Sequence, residues 1–241
     1  MSRRDYFVSD VEIAAERPHV TERFVGFLEK VRSDGRRLFL LGDIFDYWVG
    51  GRQAHLDYVR PVIDALRGLV QAGVEVHYLA GNRDYGFDVH LDGEPVARPA
   101  DQLVVESGGR RLLLEHGDLL CTGDRAYRRW RAVGRSIPVR FALSAVPLAL
   151  AAFLGRGYRR LSARIVARKT RREMAVNFAE VRRRLLQGHD VLVCGHFHRA
   201  ARYRVGLPER RSAEFITLGG WERHGTYLVG DDQDLQLHKY P

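Results

Sequence analysis

Five short stretches of this 241-residue chain set carboxylate, amide or imidazole groups at the end of an apolar run. Asp10-Val11-Glu12 comes after Tyr6-Phe7-Val8, and Gly42-Asp43-Ile44-Phe45-Asp46 after Leu38–Leu41. Gly81-Asn82-Arg83-Asp84 comes after Val76–Ala80, His116-Gly117-Asp118 after Leu112–Leu114, and Gly195-His196-Phe197-His198 after Val191–Cys194. Carboxylate, amide oxygen and imidazole in one set suit divalent Mn, Fe or Zn better than Mg or Ca, which prefer shells of oxygen alone. A carboxylate able to bridge, with three imidazoles and an amide around it, suggests two metal ions roughly 3.5–4 Å apart. Such a pair neutralises phosphate charge and activates water. That chemistry needs no side-chain nucleophile, and the chain offers no obvious one.

The elements that must position these groups are legible around them. Near-continuous apolar runs of this length are what strands look like when both faces are covered. Helical spacing fills the gaps: Phe24, Phe27, Leu28 and Val31 within roughly 20–33, and Leu56, Val59, Ile63, Leu66 and Val70 within roughly 55–72. Strand, helix, strand, helix, strand is the rhythm of a parallel α/β sheet, whose ligand groups gather beyond the carboxyl ends of its strands. The spacing therefore predicts five strands delivering polar groups to one rim of the sheet. Beyond His196 it predicts short strands over 201–205, 214–218, 227–229 and 235–240.

Composition sets the boundaries of the reading. Hydrophobic residues at 45% and charged residues at 29% exclude a mostly disordered chain. Cys121 and Cys194 are too few for a disulfide framework, and the opening residues do not read as a signal peptide, so a cytoplasmic setting is expected. The formal charge of +9 is uneven: residues 125–184 hold 17 Lys and Arg against Glu173 and Glu180. A cationic block beside a mildly acidic body points to a polyanionic partner, whether nucleic acid, an anionic lipid surface or a phosphorylated substrate. Within it runs an uncharged 14-residue stretch, Phe141–Leu154, containing Pro147. A membrane span needs about 20 apolar residues, so this run reads as a buried helix or as the apolar lip of a cap resting on a membrane.

In order, these motifs resemble those of the calcineurin-like metallophosphoesterase superfamily: D-x-H, G-D-x-x-D, G-N-H/R-D, H and G-H-x-H, matched from Asp10 to His198. Arg83 in the third motif, Leu41–Trp48, His116–Asp124 and Leu218-Gly219-Gly220-Trp221 resemble in particular the UDP-2,3-diacylglucosamine diphosphatase family of lipid A synthesis. The resemblance implies a four-layer αββα sandwich built from residues 1–124 and 187–241, with a basic helical cap inserted over 125–186. It implies two divalent metal ions, with Mn2+ as the expected species. Asp10, Asp43 and His198 would hold the first, and Asp43, Asn82, His116 and His196 the second. Asp43, Asn82, Arg83, His116 and His196 become the candidate catalytic residues. Asn82, Arg83 and His196, with Asp124, Ser162 and Lys169 of the cap, become candidates for substrate contacts. The implied substrate is an acylated UDP-sugar, cleaved to UMP and the sugar 1-phosphate. The implied setting is peripheral attachment to the inner-membrane surface, with no nucleic acid as partner.

The chain departs from the pattern where Glu12 replaces the histidine of D-x-H. Glu12 either substitutes as an oxygen ligand, making the first site harder and more anionic, or leaves that site weak. Two other readings stay open: a phosphodiesterase acting on nucleotides or nucleic acid, and a scaffold that has lost catalysis. The seven histidines outside the motifs and both cysteines read as ordinary surface or core residues.

Overall fold

The computed structural model describes residues 4–48, 51–84, 90–91, 94–95, 100–124, 127–128, 131, 153, 157, 161–162, 164–165, 167–209 and 211–241. Its strands are β1 (Arg4–Val8), β2 (Gly35–Leu40), β3 (Glu75–Tyr78), β4 (His90–Leu91), β5 (Glu94–Pro95), β6 (Gln102–Ser107), β7 (Arg110–Glu115), β8 (Val191–Cys194), β9 (Ala201–Gly206), β10 (Ser212–Thr217), β11 (Gly225–Gly230) and β12 (Leu235–Tyr240). The helices bounded within the described residues are α1 (Pro18–Asp34), α2 (Arg60–Gln71), α3 (Arg171–Met174) and α4 (Phe178–Leu185). Apart from the small β4–β5 pair, the strands form two five-stranded mixed sheets, ordered β12-β11-β1-β2-β3 and β6-β7-β8-β10-β9.

The period-2 alternation of each apolar strand sorts its side chains between layers. Tyr6, Val8, Leu38, Leu40, Val76 and Tyr78 face α1 and α2. Phe7, Phe39 and Leu41 face the other way and meet Leu112, Leu114, Val191, Val193 and Ile216 of the second sheet. The far face of that sheet, with Leu113, Leu192 and Phe215, takes Val181 and Leu185 of α4. Helices, sheet, sheet, helix is the four-layer sandwich expected from the motifs. Burying a large apolar side chain contributes about 1.5–3 kcal/mol, and the stacked pair Phe7 and Phe39, with ring centroids 4.8 Å apart, sits at the centre of the inter-sheet layer.

At one end of this layer the packing turns polar. Asp5 of β1 is fully buried and accepts hydrogen bonds from Arg36 and Arg37, at 2.7 and 2.6 Å, and from Ser107 Oγ of β6 at 2.7 Å. A carboxylate so paired fastens the two sheets to each other.

Two expectations change, and one strand, β6, is new. The polar rim belongs to two sheets: β1, β2 and β3 carry the first three motifs, while β7 and β8 carry His116 and the last motif on the facing sheet. The second helix begins at Arg60, after a 3-10 turn over Gly51–His55, because Pro61 suits only the first turn of a helix. Strand β6 follows no uninterrupted apolar run; its alternating, half-exposed pattern is that of a sheet edge. Of the apolar stretch 141–154, all but Phe153 lies outside the described residues; Phe153 is helical and exposed. No helix among the described residues is long and apolar enough to cross a membrane.

Candidate metal centre

The strand ends reach one another through backbone. The amide of Asp10 donates to the Gly42 carbonyl at 3.1 Å, that of Glu12 to Asp43 at 2.9 Å, and that of Gly195 to His116 at 2.9 Å. Gly42 has φ +84°, and a Cβ there would lie 2.5 Å from the Cα of Gly81, so two loops meet face to face where only hydrogen fits. The residues bearing the chemistry are held in the left-handed region: Asp10 (φ 53°), Glu12 (53°), Asp43 (54°), His196 (71°) and His198 (52°). Non-glycine residues rarely sit there, and clusters of them mark functional sites.

On one side of Asp43, an amide oxygen and two imidazole nitrogens converge. Asn82 Oδ1 lies 2.9 Å from His116 Nε2 and 2.9 Å from His196 Nδ1. His116 Nδ1 faces the Leu41 carbonyl at 2.9 Å, which makes it the donor nitrogen, so that in the neutral ring it is Nε2 that carries the lone pair toward Asn82. Adjacent ligands of a metal bound at about 2.1 Å stand roughly 3 Å apart, so these spacings suit a cation set among neutral imidazoles and the amide oxygen. Burial, with the neighbouring His116, His198 and Arg83 charges, lowers the His196 pKa to about 3, so its imidazole is neutral and able to ligate. For Asp43, burial and the Asp84 and Asp10 carboxylates, against His116 and Arg83, push the pKa up to about 8.

On the other side lies Asp10. Its Oδ2 accepts from Ser9 Oγ at 2.6 Å and from the His196 amide at 2.8 Å, while Oδ1 is buried with no hydrogen-bond partner. His198 Nε2 is 3.7 Å from that oxygen and 3.4 Å from Glu12 Oε1. Asp10, Asp43 and His116 offer ligand atoms within 4.8 Å of one another. A buried carboxylate oxygen without a donor costs several kcal/mol unless a cation answers it. By this test the residues fit divalent metal.

Arg83 reaches over the centre. Its Nη2 is 2.9 Å from Glu12 Oε1, its Nη1 3.0 Å from Asp46 Oδ1 and its Nε 3.5 Å from Asp43 Oδ2. Glu12 also faces Arg17 Nη1 at 3.5 Å. The structure thus brings together Asp10, Glu12, Asp43, Asn82, Arg83, His116, His196 and His198. Lys169 pairs with Asp124, while Ser162 is half-buried in a helical segment with no side-chain hydrogen bond to a described residue.

Sequence reasoning assigned no role to three acids that matter here. Asp84 is fully buried and accepts four backbone amides, from Asp43 (2.9 Å), Gly81 (3.3 Å), Ile44 (2.7 Å) and Phe45 (3.1 Å), so it shapes the loop that carries Asp43. Asp46 anchors Arg83. Asp118 accepts from Tyr127 Oη and, at 2.8 Å, from Arg131 Nε, tying the start of the 125–186 segment to the loop after His116. Each belongs to a quoted motif; what the sequence did not show was the direction of its side chain.

Two facing mixed sheets with Asp, Asn and His converging from five strand ends define a calcineurin-like metallophosphoesterase. No protein-family model matches the chain. It is 32% identical over 243 residues to a UDP-2,3-diacylglucosamine hydrolase of Edwardsiella ictaluri, covering 98% of this chain and 91% of that protein. It is 35% identical over 252 residues to one from Pseudomonas aeruginosa, covering 98% of each. Among solved structures, a dimetal phosphatase from Danio rerio aligns over 100% of this chain and 99% of that one, with 14% identity and a TM-score of 0.47. The chain belongs to the UDP-2,3-diacylglucosamine hydrolase family.

Proposed function

We propose that this hydrolase cleaves the diphosphate of UDP-2,3-diacylglucosamine, releasing UMP and 2,3-diacylglucosamine 1-phosphate for lipid A synthesis. The observation that carries this reading is the approach of Asn82 Oδ1 to both His116 and His196 at 2.9 Å, in a chain of that family. Asp10, Glu12, Asp43 and His198 would hold one cation and Asp43, Asn82, His116 and His196 a second, with Mn2+ suited to the mixed carboxylate and imidazole donors. When bound, the cations neutralise diphosphate charge and lower the pKa of the attacking water.

The chain's own residues do the rest. Arg83 presents its guanidinium to a phosphate oxygen and balances charge that grows in the transition state. Asn82 and His196 orient the scissile phosphate. Asp124, Ser162 and Lys169 take the sugar-phosphate half. The segment 125–186 serves as the cap: its apolar stretch shelters acyl chains, and its arginines meet the anionic cytoplasmic face of the inner membrane. Nucleic acid is not a substrate in this reading.

The test incubates purified protein with Mn2+ and UDP-2,3-diacylglucosamine and follows UMP release, with metal content measured by elemental analysis. Two ions per chain and turnover are expected. Metal-loaded, folded protein that releases no UMP overturns the proposal. Hydrolysis of DNA without lipid preference would instead favour a nucleic-acid phosphodiesterase, and absence of bound metal an inert scaffold.

A further inference from the structure

Beside the centre lies a cavity of about 420 Å³ that the residues discussed so far leave unexplained. Asp10, Glu12 and His198 line it, so it opens on the Asp10 side of Asp43. Asn82, His116, Asp124 and Lys169 are not among its walls. Its volume lies within the roughly 300–1,000 Å³ of small-molecule pockets.

The far walls carry three cations, Arg199, Arg223 and Lys239, against one carboxylate, Glu222. Arg199, Arg223 and Lys239 come from three separate stretches, and none makes an ion pair with a described residue. Elsewhere the chain pairs its surface arginines readily, as with Arg183 and Glu180 or Arg202 and Glu214. Three such cations against the single acid Glu222 leave the far walls net positive, a field that draws in an anion. Gly220 of the wall stands against His198: a Cβ there would come within 2.9 Å of His198 Nδ1. The loop is therefore pressed against the edge of the centre, and whatever fills the cavity begins at the reacting group.

The geometry points to this cavity as the subsite for the nucleoside monophosphate half of the substrate. The inference rests on the proposed function: a diphosphate ester has two halves, and the residues assigned to the sugar-phosphate half, Asp124 and Lys169, lie outside the cavity. The nucleotide half, anionic and compact, matches both the charge and the volume. The reacting phosphate stays with Arg83 at the centre, and Arg199, Arg223 and Lys239 line the walls beside the ribose and base, their charge drawing in the anionic nucleotide.

The test measures binding of UMP to Mn2+-loaded protein by calorimetry, comparing wild type with the double variant Arg223→Glu/Lys239→Glu. Folding is checked by thermal unfolding. UMP affinity is expected to fall at least tenfold, and KM for UDP-2,3-diacylglucosamine to rise in parallel. Arg60→Glu, a charge reversal outside the cavity, is expected to leave UMP affinity unchanged. UMP affinity within twofold of wild type in the folded double variant overturns the inference, as does an equal loss in Arg60→Glu. Wild-type protein that binds UMP through these residues yet cleaves no UDP-2,3-diacylglucosamine would instead refute the proposed substrate and leave the subsite standing.

Discussion

Arg83 Nη2 stands 2.9 Å from Glu12 Oε1, so the residue that departs from D-x-H is paired with the arginine of the third motif. The pairing gives Glu12 a role beside any cation. Two unit charges 4 Å apart at an effective dielectric of 20 interact by about 4 kcal/mol before salt screening, enough to matter for a divalent ion next to Asp10 and His198. Glu12→Gln is therefore expected to weaken Mn2+ binding at least tenfold by calorimetric titration. Glu12→His restores a ligand without the charge and is expected to recover most of that loss; if neither variant changes affinity, Glu12 serves Arg83 alone.

Asp84 makes the loop of Asp43 possible. Replacing it with Ala strands four buried amides, and unsatisfied buried donors cost about 1–3 kcal/mol each. Urea unfolding of Asp84→Ala is expected to show a loss of about 3 kcal/mol or more, and metal binding should be lost with it. Asp84→Asn keeps one acceptor oxygen and is expected to fall between the two.

Asp5 links the sheets and predicts acid sensitivity. Burial raises its pKa, but hydrogen bonds from Arg37, Arg36 and Ser107 outweigh this and hold it below the ordinary value of 3.8. A lowered folded-state pKa contributes stability that is fully present above the unfolded carboxylate value and disappears as pH falls through the folded one. Wild-type stability is expected to decline below about pH 4. Asp5→Asn should lose about 1–3 kcal/mol at neutral pH and show a shallower decline in acid, measured by denaturant titration across pH.

Asp118 fastens Tyr127 and Arg131. Burial alone would raise its pKa; His116, Arg131 and the Tyr127 hydroxyl instead bring it to about 2, so the carboxylate is ionised at any working pH. Hydrogen bonds to charged groups are worth about 1.5–3 kcal/mol, and roughly 1.4 kcal/mol is tenfold in an equilibrium. Amide exchange at Tyr127 and Arg128 in Asp118→Ala is expected to accelerate at least tenfold, read by mass spectrometry.

Much of this was legible in the chain. Apolar runs ending in Asp, Asn and His announced the strands and their rim, and the i, i+3, i+4, i+7 spacing of Phe24, Phe27, Leu28 and Val31 announced α1. Other features depend on long-range contact and leave no local mark. Whether β7 and β8 join β1–β3 or face them is decided by which partner covers Leu112 and Val193, not by those residues themselves. Strand β6 hid because an edge needs only every second residue apolar. The positive φ of Asp10, Glu12, Asp43, His196 and His198 could not be read from residue types that occur mostly in ordinary backbone. Asp84 was visible as a letter in a motif, but its four amide partners come from loops that meet only in the folded chain.

Those left-handed backbones carry an evolutionary implication. Each left-handed non-glycine residue costs roughly 1 kcal/mol, somewhat less for Asp, a tax that glycine would remit at all five positions while deleting the ligand. Selection for ruggedness alone therefore pulls against the chemistry. A descendant relieved of its task should drift toward glycine there and emerge harder to melt, its added toughness the fossil of an abandoned reaction.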